Sequence, residues 1–303
     1  MSAAATGEGR PDDGPEVLVG YDGSPDAAAA IEVGARLLPG LRACVVHLWE
    51  PPFASEGLRR RLWGGAGSLD EFLELLEREG KAEAERLAAD GVTLARQAGW
   101  RAAPLVDRGF SGGLQVARLA ERRRPSAIVL GSRGLGGVRA VLGSFSDAVV
   151  HFSPVPVLVV PHPLSEDAGR AVAEGPVVVG DDGSEGARAA LSAAAGLLPG
   201  RTLVVATAGD DGAAEAAGDL PATGTAAARR VRLSLAAAVG RRARSVADAL
   251  AECAAAEGAA AIVVGSRGRS AQREVLLGSV AMTVLHRAHH PVLVVPSGRR
   301  ERE

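Results

Sequence analysis

Lysine is almost missing from this chain: of 34 basic side chains, only Lys81 is not an arginine. A Walker A phosphate loop needs its lysine at a fixed place after a glycine run, and Lys81 lies in a charged, helix-like stretch instead, so that class is excluded. Aromatic residues are equally scarce, at 3%. The basic triplets Arg59–Arg61 and Arg122–Arg124 have no aromatics interleaved, so they read as solvated helix faces and not as a nucleic-acid surface. A net charge of −2 supplies no field for nucleic acid or for an anionic membrane. No apolar run approaches the ~18 residues of a membrane span. Residues 1–14 are small and polar, without the apolar core of a secretory signal. The two cysteines, Cys44 and Cys253, sit far apart inside apolar patterns and read as core residues of a reducing compartment, hence a cytoplasmic address. Also absent are a Gly-x-Ser-x-Gly elbow, a His-Glu-x-x-His pair and any Cys–His pairing. No catalytic constellation is expected.

What is present is a repeat. Val17-Leu18-Val19-Gly20-Tyr21-Asp22-Gly23-Ser24 returns as Val177-Val178-Val179-Gly180-Asp181-Asp182-Gly183-Ser184, and Leu37-Leu38-Pro39-Gly40 as Leu197-Leu198-Pro199-Gly200, both at an offset of 160. Gly131-Ser132-Arg133-Gly134 returns as Gly265-Ser266-Arg267-Gly268 at 134, and the run from Pro156 to Pro161 returns as Pro291 to Pro296 at 135. The second copy has therefore lost about 26 residues between its first helix and its glycine turn. The domains follow: an N-terminal tail over 1–14, a first domain over 15–161, a linker over 162–175 without periodic pattern, a second domain over 176–297, and a frayed tail over 298–303.

Within the first copy, short β-branched runs alternate with helical patterns. Strands are expected at Val17–Gly20, Ala43–Leu48, Ala102–Val106, Ile128–Leu130 and Val157–Val160. Between them come a helix opened by Ser24-Pro25-Asp26 and stopped by Pro39-Gly40, then helices over Leu69–Gln97, Leu114–Arg122 and Ser144–Val150. The second copy keeps this order with its long helix missing or reduced, and Gly209–Ala228 reads as a loop. Strands alternating with helices give α/β domains, each a doubly wound parallel sheet with helices on both faces.

A glycine turn that leaves a buried strand and leads to a helix N-terminus suits a phosphate group, because the backbone can approach the anion and offer its N–H groups. Both copies have one. Eight residues separate Gly134 from Gly143-Ser144, and nine separate Gly268 from Gly278-Ser279. Arg133 and Arg267 add a guanidinium to each turn. A dinucleotide fingerprint would put its glycines after the first strand, where Asp22 and Asp182 stand instead.

The Asp-Gly-Ser after the first strand, the Gly-x-x-Gly followed at nine residues by Gly-Ser, and the closing Pro-Val-Leu-Val-Val strand resemble the universal stress protein pattern, twice over. The resemblance implies five-stranded sheets of order 3-2-1-4-5. It also implies ATP as ligand, with the aspartate near the nucleoside, a backbone group at the end of the second strand near adenine, and the glycine motif around the phosphates. By position these are Asp22, Leu48, Gly131, Gly134, Gly143 and Ser144, and Asp182, Thr207, Gly265, Gly268, Gly278 and Ser279. Asp22 or Asp182 could hold magnesium with the ATP. Family dimers pair through their fifth strands, so Val157–Val160 and Val292–Val295 are expected to make an intramolecular pseudo-dimer, with a homodimer as a further option. The function implied is a regulatory adenine-nucleotide-binding protein of the stress response. A slow ATPase and a nucleotide-free scaffold are the alternatives.

The first copy's glycine span is one residue short, so the second is expected to bind phosphate better. His286, His289 and His290 carry helical spacing, but they suit a helix C-terminus better than a metal. Trp49, Pro51-Pro52 and residues 53–67, with Trp63, are candidates for a pocket wall and lid, or for plain packing.

Overall fold

A computed structural model describes residues 14–49, 60, 62–63, 68–109, 112–133, 142–208, 227–233, 242–268 and 277–297. Among the described residues, five strands and five helices of nine or more residues span the first copy and the connection that follows it. They are β1 (Glu16–Gly20), α1 (Pro25–Leu37), β2 (Arg42–Trp49), α2 (Leu69–Gln97), β3 (Arg101–Arg108), α3 (Gly113–Arg123), β4 (Ala127–Gly131), α4 (Ser144–Phe152), β5 (Val157–Val160) and α5 (Glu166–Glu174). The second copy adds β6 (Val177–Asp181), α6 (Glu185–Leu197), β7 (Leu203–Thr207), β8 (Ala228–Arg232), α7 (Arg242–Ala256), β9 (Ala261–Gly265), α8 (Ser279–Arg287) and β10 (Val292–Val295). Each half has the expected order 3-2-1-4-5, and the halves join into one ten-stranded sheet, β3-β2-β1-β4-β5-β10-β9-β6-β7-β8. Every pairing is parallel except the central one, where β5 runs antiparallel to β10 with Leu158 opposite Leu293.

Alternation along these strands builds two cores. Leu158, Val160, Leu293 and Val295 point to the face covered by α1, α2, α5 and α6. Val157, Val159, Val292 and Val294 point to the face covered by α3, α4, α7 and α8. Both cores run through both halves, because a strand's side chains alternate and the central pair keeps the pleat in phase.

Three features differ from the sequence expectation. The connection over 162–175 contains α5, capped by Ser165 and anchored by buried Ala168 and Val172. Its final carbonyls are satisfied from a distance: Arg201 donates to the oxygens of Val172 and Gly175 at 2.7 and 2.9 Å. An arginine some thirty residues away cannot be recognised as a helix cap from local pattern. The second difference is β8, whose sequence Ala-Arg-Arg-Val-Arg shows little apolar alternation. It is an edge strand, where exposed arginines guard against further pairing. No helix lies between β7 and β8 among the described residues, while residues 209–226, read as a loop, fall outside them.

The third difference concerns Arg123, expected on a solvated face. It instead makes a two-pronged contact with buried Glu16 at 2.8 and 2.9 Å, and Arg42 reaches the same carboxylate at 2.5 Å. Cys44 lies next to this cluster, and burial, with Glu16 beside it, pushes its thiol up to about 11. Cys44 is therefore an unreactive core residue, and both cysteines are free. Among the described residues no helix is long and apolar enough to cross a membrane.

The central seam makes a measurable prediction. Leu158→Ala and Leu293→Ala should each destabilise the chain by about 2–5 kcal/mol. Because the two side chains face each other, a double-mutant cycle in denaturant should return a coupling of about 0.5–3 kcal/mol. Additive losses would contradict the pairing.

Candidate functional site

The strand order reverses between β1 and β4, and again between β6 and β9, and open α/β sheets bind ligands at such switch points beyond the carboxyl ends of the strands. Both expected glycine turns and both expected aspartates lie there, since β1 pairs with β4 and β6 with β9.

Each Asp-Gly-Ser turn is first a structural device. Asp22 Oδ1 accepts the Ser24 N–H at 2.9 Å, and Asp182 Oδ1 accepts the Ser184 N–H at 3.0 Å. Gly23 and Gly183 take φ of +83° and +76°, a region that glycine occupies without strain. Ser24 and Ser184 then cap α1 and α6 by accepting the N–H groups of Ala27 and Ala187. The remaining oxygen of Asp182 sits so close to Gly268 that a β-carbon there would be 2.6 Å away. This contact brings the expected nucleoside carboxylate and the expected phosphate turn together in the second copy. Gly134, its counterpart in the first copy, lies outside the described residues.

Gly131 and Gly265 do a different job from the one expected of them. A β-carbon on Gly131 would lie 2.8 Å from the backbone of Asp26, and one on Gly265 would lie 2.6 Å from the backbone of Gly186. They let the first turns of α1 and α6 rest on the ends of β4 and β9. Arg133 and Arg267 are likewise turned toward protein partners. Arg133 lies 3.5 Å from the Asp26 carboxylate and donates to the His162 carbonyl at 2.5 Å. Arg267 reaches only the Ser297 carbonyl, at 3.4 Å.

The far ends of the turns match closely. Gly143 N–H donates to the Ser132 carbonyl at 2.8 Å, and Gly278 N–H to the Ser266 carbonyl at 2.7 Å. The described closing hydrogen bond is therefore the same in both copies, although the first copy's span is one residue shorter. Both glycines are N-caps with extended backbone, and neither α4 nor α8 has a side-chain cap. α1, α2, α5 and α6, by contrast, are all capped by serine hydroxyls. The first-turn N–H groups at Ser144 and Ser279 are thus left without a side-chain acceptor.

The strand register corrects the adenine-side pair. Gly20 pairs with Val46, while Gly180 pairs with Ala206 and Asp181 with Thr207. Thr207 therefore corresponds to His47, and Leu48 to Ala208, so Leu48 and Thr207 are not equivalent. The Thr207 carbonyl is also occupied, accepting the Leu233 N–H at 2.9 Å. Sequence reading missed His47, whose Nδ1 lies 2.8 Å from the Tyr21 carbonyl. The exact offset of 160 that aligned Asp22 with Asp182 would have found it.

Cover over the two sites differs. In the first copy, Leu87 and Gly91 of α2 pack against Gly23 and the Tyr21 ring. Burial, with Asp90 and Asp22 nearby, raises the Tyr21 pKa. In the second copy nothing described lies within 4 Å of a β-carbon at Gly183. Trp63 packs edge-on to Phe72 of α2, with ring centres 4.9 Å apart, while Pro51-Pro52 and the rest of the candidate lid, apart from 60 and 62–63, fall outside the described residues. The histidine trio does not converge. His286 Nδ1 faces the Leu142 N–H of the other half at 3.4 Å, His290 is buried, and no metal-binding cluster occurs among the described residues.

Doubly wound halves with matching crevices at their switch points define a class of α/β ligand-binding proteins. Comparison with known proteins narrows it. The model of the universal stress protein family matches residues 15–161 and 175–296, and the chain belongs to that family. It is 35% identical over 154 residues to a universal stress protein of Thermus aquaticus, an alignment covering 48% of this chain and 96% of the relative. A universal stress protein of Mycobacterium tuberculosis is 31% identical over 179 residues, covering 55% of this chain and 54% of the relative, so the match spans about half of that protein. Among solved structures, a universal stress protein from Archaeoglobus fulgidus shares the fold at a TM-score of 0.64, with 21% identity over 93% of this chain and 98% of that one.

The packing role of the strand-end glycines is testable by stability. Gly131→Ala and Gly265→Ala should each cost about 1–3 kcal/mol, since backbone must move to admit a β-carbon. Gly278→Ala, whose β-carbon would lie no nearer than 3.3 Å to its neighbours, should cost less than about 1 kcal/mol. Urea midpoints decide it, and equal losses at all three would refute the distinction.

Proposed function

We propose that this chain is a non-enzymatic regulatory protein that binds adenine nucleotide in the stress response, with ATP held at the switch-point crevices. The observation that carries this reading is the pair of uncapped helix N-termini, α4 and α8, each entered from a glycine turn whose closing hydrogen bond is the same in both halves. Unsatisfied N–H groups at a helix start, with the helix dipole behind them, form an anion site. In the second copy Asp182, against Gly268, supplies a carboxylate on the nucleoside side. Magnesium would accompany the phosphates from that carboxylate.

In this reading the chain works in the cytoplasm as two domains, 15–161 and 176–297, joined through 162–175 as an intramolecular pseudo-dimer. The paired β5 and β10 support the pseudo-dimer. Among the described residues of the two crevices no base is paired with a nucleophile, which favours holding nucleotide over turning it over.

Calorimetric titration of the full chain with ATP, ADP and AMP, with and without magnesium, tests the proposal. ATP should bind, and Asp182→Ala should weaken it by about tenfold, the loss expected for a charge-assisted contact. No heat at millimolar ATP would overturn the reading in favour of a scaffold of the same fold.

A further inference from the structure

The two crevices share a backbone plan but differ in charge, and the difference turns on one residue. Among the described residues, Asp22, Asp26 and Asp90 stand around the first turn, with Arg133 as the basic group. Asp26 belongs to the first turn of α1, beside Gly131, and its carboxylate faces the Arg133 guanidinium. The positive charge of Arg133 is thus met by a carboxylate before any ligand arrives.

In the second copy the position of Asp26 is Gly186, at the same offset of 160. A β-carbon there would run into the Arg267 carbonyl and come within 3.0 Å of the Ser297 hydroxyl. The turn has closed onto the helix, and no acidic side chain fits. Arg267 consequently has no carboxylate within ion-pairing distance among the described residues, and its one contact is the long bond to Ser297. The other charges also shift. Asp181, Asp182 and Glu185 are present, but Arg188 donates to the Gly183 carbonyl at 3.0 Å, and Arg230 lies 3.8 Å from Asp181. Among the described residues, Arg188, Arg230 and Arg267 stand near Asp181, Asp182 and Glu185 here, and Arg133 stands near Asp22, Asp26 and Asp90 in the first copy.

We infer that the Asp26-to-Gly186 difference divides the two crevices by ligand charge, so that the second, where no carboxylate pairs with Arg267 among the described residues, accepts a polyphosphate group and the first rejects it. A di- or triphosphate brings several negative charges into a partly desolvated turn, where each unmatched carboxylate repels it and each unpaired guanidinium attracts it. The inference deepens the nucleotide-binding proposal and rests on it for the adenine end of the ligand only. The polyphosphate end can be tested without a nucleoside.

The probe is inorganic tripolyphosphate, titrated calorimetrically into the full chain at low salt, with ATP in parallel. One tripolyphosphate per chain is expected. Arg267→Gln should weaken it about tenfold or more, as for loss of a charge-assisted contact, and Arg267→Lys should lose less. Arg133→Gln should cost less than Arg267→Gln, and Asp26→Asn should bring a second tripolyphosphate into the chain. Thermal melting establishes that each variant is folded, and the gain from Asp26→Asn cannot arise from misfolding. Two equal sites in the unaltered chain, no tripolyphosphate binding, or equal losses from Arg133→Gln and Arg267→Gln would each overturn the inference. If tripolyphosphate follows the expected pattern while ATP binds no tighter than it does, the charge division stands and the nucleotide reading fails. If ATP binds but ignores Arg267→Gln, the nucleotide reading stands and the charge division falls.

Discussion

Four residues of one strand lying antiparallel to four of another hold this architecture together. β5 and β10 are wholly apolar, and each would otherwise end its own sheet as a flat, exposed edge, the arrangement most prone to pair with a stranger. By pairing with each other they remove both edges at once. They also fuse two small cores into two long ones that run through the whole chain, one on each face. The outer edges left over, β3 and β8, carry arginines or short partly exposed runs, as edge strands tolerate.

Fusing the sheets ties the two crevices into one body. Leu142 immediately precedes Gly143 at the end of the first turn, and its N–H faces His286 of α8. α8 in turn begins at Gly278, the end of the second turn. A single helix of nine residues therefore touches the closing point of both turns.

How far the sequence disclosed this depends on whether a feature is local. The limits of α2 at Leu69 and Gln97 rest on a pattern readable within a few turns of chain, the repeat shows in matching segments, and the strand order came with the family resemblance those segments carry. α5 was hidden because its end is capped from Arg201, and β8 because its arginines mask the strand period. Glu16 and Arg123 meet across 107 positions of sequence, so a triplet that looked like a solvated face turned out to neutralise a buried carboxylate. The aspartates and glycines at the strand ends were legible in the sequence, but not how they divide between packing and turn closure. That Gly131 and Gly265 serve helix packing while Gly143 and Gly278 open uncapped helices appears only when the helix lying on the strand is known. The error at Leu48 and Thr207 has a simpler origin: strand ends were compared where registers should have been, and a slip of one residue puts a side chain on the opposite face.

The copies differ in the helix packed outside their second strands and in the charges around the Asp-Gly-Ser turn, while their innermost strands stay equally buried. Val177–Val179 remain as buried as Val17–Val19, and the closing strands are identical in sequence. Around the Asp-Gly-Ser turn, by contrast, Tyr21 becomes Asp181, Asp26 becomes Gly186 and Ala28 becomes Arg188. Each change alters charge or cover beside the turn; the two serine-side hydrogen bonds agree to within 0.1 Å, while Asp181 adds a bond from the Gly183 N–H at 2.9 Å. The Asp-Gly-Ser turn and its serine cap are thus common to both halves, and the side chains beside them are what differ, so one backbone plan carries two unlike surroundings in a single chain.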